Sequence, residues 1–510
     1  MTCRSEILLG VIMATAIAAA PAGCSKREDA PDAPAPASRP AESSVTEPPA
    51  TQPAVYEHID ADHMARAQQL IDNGVRFLLA AREEDGGWSL GGGAVKPATT
   101  AMVLKALLQH RDFNTDSTVV RQGFDVLMSY RQPNGGFYEP RGGYENYTTS
   151  LAVMAMAAAQ DSRFNEAMRD AVSYLKGIQI VPGTKTPEGQ DIDEDHPFVG
   201  GVSYGKHGRP DGSNAGMFAE ALHEAGVGAD DPAMQNVLGF FLRLQNRSES
   251  NPLAWAAEGP NDGGFVYAPA LRDDLSSGES KAGPGPGGRG LRSYGSLTYL
   301  GFKTLLHAGL DRDDPRVRAA YGWIRTYWRL DSNPNMPQTQ SLQGLYYYYH
   351  AFAKALRAWS EPVITDTGGV KHNWRQELID ALGEQVRPDG SWVNPESRWE
   401  EASPVLVTCY AVLALQETLK SPREPARSLR HLRSKQLAFS IQRRVPPVAP
   451  ERLHGQAQAC SVLALTGPLE RDSCRYERLR DGDFAGSRET SATTSPRRTT
   501  SCPKRIRTNC

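Results

Sequence analysis

The side chains able to do chemistry in this 510-residue chain fall into a few small groups. Glu400 and Glu401 lie beside Trp392 and Trp399, and Asp211 stands far upstream. Carboxylates with aromatic neighbours suit glycoside cleavage, which needs two carboxyl groups about 5 or about 6.5–9.5 Å apart. Asp191-Ile192-Asp193-Glu194-Asp195-His196 gathers hard oxygen ligands for a cation, although a solvated acidic loop is the plainer reading. Cys409 stands in an apolar stretch, Val407-Thr408-Cys409-Tyr410-Ala411-Val412-Leu413, and reads as a packed core thiol rather than a nucleophile. A Gly-x-Ser-x-Gly elbow, a P-loop and a dinucleotide fingerprint are all missing. The densest concentration is polar and aromatic together: Asn146 and Tyr147, Tyr204, Asp211 and Asn214, Tyr294 and Tyr299, Tyr346 and Tyr347 on to His350, and Trp392. Such residues brought to one end of a scaffold would wall a small-molecule pocket. Packing tyrosines with satisfied hydroxyls are the alternative.

The elements that must position these groups repeat six times between residues 64 and 419. Each unit is an amphipathic helix, a glycine turn followed by a large side chain, and a second helix rich in Ala, Leu and Tyr. The turns are Gly86-Gly87-Trp88, Gly135-Gly136-Phe137, Gly200-Gly201-Val202, Gly263-Gly264-Phe265, a degenerate Gly344-Leu345-Tyr346, and Gly390-Ser391-Trp392. In the first unit Leu70, Ile71, Val75, Leu78 and Leu79 share one helical face, whereas the partner helix from Pro97 to His110 is apolar nearly all round. First helices therefore belong outside and second helices inside. Units recurring every 50 to 80 residues or so cannot bury their faces alone and must stack on neighbours. Long insertions at 181–212, 247–262 and 269–292 sit beside the glycine turns, which favours a closed ring over an open superhelix and marks one face for binding. The expected fold is all-α, an (α/α)6 toroid of six hairpins in two concentric rings.

Particular strings carry a resemblance. Tyr130-Arg131-Gln132 ahead of Gly135-Gly136-Phe137, and Arg243-Leu244-Gln245 ahead of Gly263-Gly264-Phe265, resemble the repeat of terpenoid cyclases and protein prenyltransferase β subunits. Arg209-Pro210-Asp211-Gly212-Ser213-Asn214, Arg292 to Tyr299, and Gly344 to His350 resemble an exported bacterial group of prenyltransferase and squalene oxidase repeat proteins. The resemblance covers residues 64–419 and implies a toroid with a central cavity; the fold hosts cyclases, transferases and non-catalytic domains alike. The family chemistry is poorly matched here. Asp311-Arg312-Asp313-Asp314 has the spacing of a cyclase acid, yet Pro315 follows, as at Asp230-Asp231-Pro232, and Asp before Pro is helix N-terminal punctuation. The transferase zinc site would need an Asp-x-Cys pair that Cys409 lacks. No cofactor and no metal are expected.

Composition frames the rest. The net charge of −3 hides 18 Lys and Arg against 8 Asp and Glu in residues 421–510, and 38 against 51 elsewhere. An acidic body of net −13 argues against nucleic acid as a partner. Residues 1–24 read as a signal peptide: Arg4, an apolar run from Ile7 to Ala20, then Pro21-Ala22-Gly23-Cys24, which resembles a lipobox with Pro where Leu is usual. Cys24 is the expected lipidation site, with a plain signal peptide as the alternative. Residues 25–55 have a spacer composition, residues 56–420 form the toroid, and residues 421–510 form a basic tail without stable fold, save a short helix near Ala457–Leu465. The expectation is thus an exported protein, anchored by lipid to a membrane on a periplasmic face. Its cavity would bind an apolar small molecule or a protein partner without the known family chemistry. An isoprenoid cyclase or prenyltransferase, and a carbohydrate-active enzyme on an α/α barrel, are the alternatives.

Overall fold

A computed structural model describes residues 59–421, apart from residues 92, 94, 187, 188, 207, 272 and 273. The expected signal peptide, Cys24, the spacer, and the tail with the short helix expected in it lie outside the described residues.

The chain runs through α1 (Ala61–Ala80), α2 (Lys96–Leu108), α3 (Thr118–Ser129), α4 (Glu145–Ala159), α5 (Asn165–Gly177) and α6 (Gly212–Glu224). Then follow α7 (Pro232–Leu242), a short α8 (Ala254–Glu258), α9 (Gly295–His307), α10 (Pro315–Thr326), α11 (Leu345–Trp359), α12 (Trp374–Gln385) and α13 (Pro404–Leu419). Helices α2, α4, α6, α9, α11 and α13 pack each on the next, and α13 returns to α2. Helices α1, α3, α5, α7, α10 and α12 form the outer layer: α1 packs chiefly on α13, α3 on α2, α5 on α4 and α10 on α9, the inner helix of the preceding unit, while α7 lies between α6 and α9 and α12 between α11 and α13. This is the expected (α/α)6 toroid. One continuous apolar core joins the two layers, and the inner helices are buried on nearly every side, as their lack of a polar face requires.

Local chemistry sets the helix starts. Asp231 accepts from the Ala233 amide before α7, and Asp314 from the Arg316 amide before α10, each with proline as the first helical residue. The turns have two recurring devices. The residue after the glycine pair donates its amide to a threonine hydroxyl of the inner helix: Trp88 to Thr100 (3.1 Å), Phe137 to Thr149 (2.9 Å), Phe265 to Thr298 (3.1 Å) and Trp392 to Thr408 (3.1 Å). The first glycine has positive φ, 88° at Gly135 and 85° at Gly200, and abuts the next outer helix. A Cβ at Gly200 would sit 1.9 Å from the Asn236 carbonyl oxygen, so only glycine fits both the angle and the space.

The fifth unit departs from expectation. Gly344 does not form a turn ahead of its inner helix; it is the N-cap of α11 itself, at φ 67°. A two-stranded antiparallel hairpin, β1 (Val363–Thr365) with β2 (Lys371–Asn373), joins α11 to α12 with Ile364 opposite His372. Among the described residues no helix is long and apolar enough to cross a membrane.

Candidate functional site

All six inner helices point their N-termini toward one end of the ring, because each follows an outer helix and a turn in the same sense. There they surround a cavity of about 590 Å³. Its walls take residues from the start of every inner helix: Thr99 of α2, Tyr147 of α4, Asn214 of α6, Leu297 of α9, Tyr347 of α11 and Leu406 of α13. The loops add Tyr144, Tyr204, Tyr267, Tyr294, Lys281 and Trp399, so two of the three insertions, 181–212 and 269–292, reach the site. Tyr204 and Trp399, two of the few large apolar side chains left exposed, stand in the wall of this cavity.

The first polar cluster centres on Asp211, the N-cap of α6. Its Oδ1 accepts from the Asn214 amide (3.0 Å) and its Oδ2 from Asn214 Nδ2 (2.7 Å). Burial pushes its carboxyl up to about 6, against the hydrogen bonds from Asn214 and the Tyr267 hydroxyl. Tyr267 carries the Lys281 ammonium 3.9 Å from its ring centroid, a cation–π contact, and Lys281 also pairs with Glu279. Asp211 thus stands one residue behind the cavity surface.

Glu401 forms the second cluster. It is 1% exposed and lines the cavity. It accepts from Asn394 Nδ2 (2.6 Å) and from the amides of Tyr347 (2.8 Å) and Tyr346 (3.3 Å), capping α11 from across the chain. Burial lifts its carboxyl to about 7 in spite of those donors. The two residues before it, Trp399 and Glu400, hold φ of 59° and 62°. Consecutive non-glycine residues in the left-handed region store strain, and such strain gathers at functional sites. The Trp399 ring rests on Gly344, where a Cβ would meet it at 3.1 Å.

Below the cavity a narrow throat continues along the ring axis between Met217, Tyr347, Tyr410 and His350. His350 stacks on Tyr410 with centroids 5.6 Å apart, and its Nε2 has no hydrogen-bond partner. Burial, helped by Lys303 and Lys105, drives the imidazole down to about 3, so it is neutral. The far end is closed by charges from the helix C-termini. Lys105 reaches Glu224 at 2.5 Å, Lys303 and Lys354 share Glu220, and Arg357 meets Glu417 at 3.1 Å. Cations there also offset the negative ends of the helix dipoles.

The structure therefore separates the sequence candidates. Tyr147, Tyr204, Asn214, Tyr294 and Tyr347 line the cavity, and His350 lies under it. Four others serve packing instead. Asn146 is fully buried and donates to the carbonyls of Ser203 (3.0 Å) and Asn214 (3.4 Å). Tyr299 packs edge-on to Tyr348 at 5.4 Å. Tyr346 points outward and donates to Gln385 Oε1 on α12 (3.0 Å). Trp392 is a wedge between helices, its indole N–H on the Leu382 carbonyl (2.8 Å). Apolar residues cover most of each inner helix, so only scattered polar residues such as His350 and Lys354 distinguish the axial face from the packing faces. Tyr144, Tyr267, Lys281 and Tyr410 were missed. Tyr410 adjoins Cys409 and Tyr144 lies two residues before Asn146, while Lys281 sits in the 269–292 insertion, whose place marked a binding face but whose composition singled out no residue.

The remaining strings are structural. Asp314 caps α10 on the outer ring and Asp313 is exposed. Asp191 pairs with Lys185 on the surface. Cys409 is buried, which raises its thiol pKa and makes it inert. Among the described residues no three His, Cys, Asp or Glu side chains converge as a metal site.

No family model and no curated protein matches this chain. Among solved structures it is similar to a type II terpene cyclase variant from Scytonema in complex with geranylgeranyl dihydroxybenzoate. The two are 16% identical over 71% of this chain and 99% of the other, with a TM-score of 0.43. It is also similar to a D-mannose isomerase, at 11% identity over 71% and 99% with a TM-score of 0.47. A novel α-amylase from Clostridium perfringens matches at 11% over 70% and 99%, with a TM-score of 0.41. At such identities the likeness concerns the fold alone.

Proposed function

We propose that this protein binds an apolar small molecule in the cavity at the N-terminal end of its inner helices. The observation that carries this is the wall itself: the starts of all six inner helices converge on a cavity of about 590 Å³ walled mainly by aromatic and aliphatic side chains, with Thr99, Ser213, Asn214, Ser296, Lys281, Glu400 and Glu401 as its polar members. That is the usual size and make-up of a small-molecule site. The Asp311–Asp314 string lies on the outer ring, which favours binding over the cyclase chemistry that such a string performs elsewhere. The neutral probe N-phenyl-1-naphthylamine should show saturable fluorescence enhancement with one site per chain. Narrowing the cavity with Met217→Trp should weaken it several-fold. An unchanged signal in that variant, or no saturable binding at all, would sink the reading.

An enzymatic reading draws on Glu401, a cavity-facing carboxyl with pKa near 7. Such a group can hold or give a proton at neutral pH. It would serve isoprenoid cyclisation or carbohydrate cleavage, and it requires turnover that Glu401→Gln removes.

The body is further proposed to be exported and held by lipid at Cys24, supported by the apolar run from Ile7 to Ala20 and the lipobox-like Pro21-Ala22-Gly23-Cys24 that follows it. Cys24→Ser should abolish lipid labelling and release the protein from membranes. Continued labelling would refute the anchor.

A further inference from the structure

The charges around the cavity are close to balance. Glu400 and Glu401 face it, Asp211 stands behind Tyr267, and Lys281 pairs with Glu279, which Arg209 also approaches at 3.6 Å. These groups carry a net formal charge of −2. Against them stand six helix N-termini worth about +0.5 each, two of which Asp211 and Glu401 already cap. Neither an anionic nor a cationic ligand gains much Coulomb energy in such a site.

In the cavity wall itself one buried hydrogen-bonding demand is left open. Asn214 is 1% exposed and lines the cavity, and its Oδ1 has no partner. The orientation of the amide is fixed, since Nδ2 donates to Asp211 Oδ2 at 2.7 Å and a carboxylate accepts only from a donor. A buried acceptor left unpaired costs free energy that a ligand donor would recover. The nearby hydroxyls are engaged elsewhere: Tyr347 donates to Ser213 Oγ (3.4 Å) and Tyr267 binds Asp211.

We propose that the ligand is a neutral, largely apolar molecule bearing a hydroxyl, and that this hydroxyl donates to Asn214 Oδ1 while the hydrocarbon lies along the tyrosine walls. The inference rests on the cavity being a binding site and adds the chemistry of the ligand's polar end.

Four probes sharing one tail test it on the unmodified full-length chain: decan-1-ol, its methyl ether, decanoate and decylammonium. Titration calorimetry should rank the alcohol tightest, with the ether about tenfold weaker for want of a donor and both ions weaker than the alcohol. Asn214→Leu should erase the preference for alcohol over ether, while Tyr347→Phe should keep it. Equal binding of alcohol and ether, or an ion binding best, would overturn the hydroxyl inference and leave the cavity standing as a site. Binding of none of the four would overturn both. Because the probe ranking needs no variant, a misfolded Asn214→Leu protein would not spare the proposal.

Discussion

Gly390 lies against the backbone of Asn73, where a Cβ would stand 2.7 Å from the Asn73 carbonyl oxygen. The last turn of the repeat thus docks on the first outer helix, α1, as Gly135 docks on Asp170 of α5 and Gly263 on Ala319 of α10. Ring closure is the same contact as at the Gly135, Gly200 and Gly263 joints, while the fifth unit uses the β1–β2 hairpin instead.

Alanine at these glycines should therefore destabilise in an order set by space. Gly200, Gly390 and Gly369 all have φ between 83° and 87°. A Cβ would meet backbone at 1.9 Å at Gly200 and at 2.7 Å at Gly390, and nothing within 4 Å at the hairpin residue Gly369. Left-handed strain alone costs about 1 kcal/mol, so Gly369→Ala sets the baseline. Gly390→Ala should cost more and Gly200→Ala most, read as urea midpoints. Equal losses at all three would show that the close approach is not used.

Asp314 tests the outer-ring reading. Its Oδ1 accepts from the Arg316 amide at 2.9 Å, and Arg316 pairs back to it. Asp314→Ala should lower stability by about 1 kcal/mol, the usual worth of a cap, and leave probe binding within error. Lost binding with unchanged stability would return this carboxylate to the chemistry.

Much of the fold was legible because helix punctuation and glycine turns are local. Asp231-Pro232 and Asp314-Pro315 mark starts that the structure keeps to the residue. The β1–β2 hairpin was not legible, since Val363–Thr365 and Lys371–Asn373 are too short for alternation to show. The cavity residues were only partly so. Tyr346 and Tyr347 are adjacent on α11, yet one reaches Gln385 in the outer layer and the other faces the axis. The one local signal is that Tyr347, His350 and Lys354 recur at i, i+3 and i+7 along one face of α11.

Glu401 should impose a pH dependence of known sign. Its folded pKa, about 7, lies above the unfolded value of about 4.3. The folded state therefore holds the proton more tightly. Stability from this group is fully present below the unfolded value and is lost as pH rises toward and through 7. Asp211, raised to about 6, acts in the same direction, and His350, lowered to about 3, opposes both. The difference between wild type and Glu401→Gln cancels those two. From pH 4.5 to 7.5 the wild-type urea midpoint should fall relative to the variant. A relative rise would mean that the Tyr346 and Tyr347 amides hold Glu401 ionised and that its pKa lies below 4.5.

Two tryptophans seven residues apart should separate packing from binding. Trp392 is fully buried, gives its indole N–H to the Leu382 carbonyl, and presses on Gly74 of α1, where a Cβ would meet it at 3.1 Å. Trp88 repeats this arrangement on Leu78 and Gly123. Trp392→Phe removes the donor and leaves a void, so about 1–3 kcal/mol of stability should be lost with probe affinity nearly unchanged. Trp399 is 37% exposed in the cavity wall at φ 59°. Trp399→Gly relieves that backbone strain, so the variant should be as stable as wild type or more so. It should nevertheless bind N-phenyl-1-naphthylamine several-fold more weakly, because an aromatic wall of the cavity is gone. The strain is then kept for the sake of the site. Were Trp399→Gly destabilised with its affinity intact, Trp399 would be a packing residue and the wall of the cavity would have to be redrawn without it.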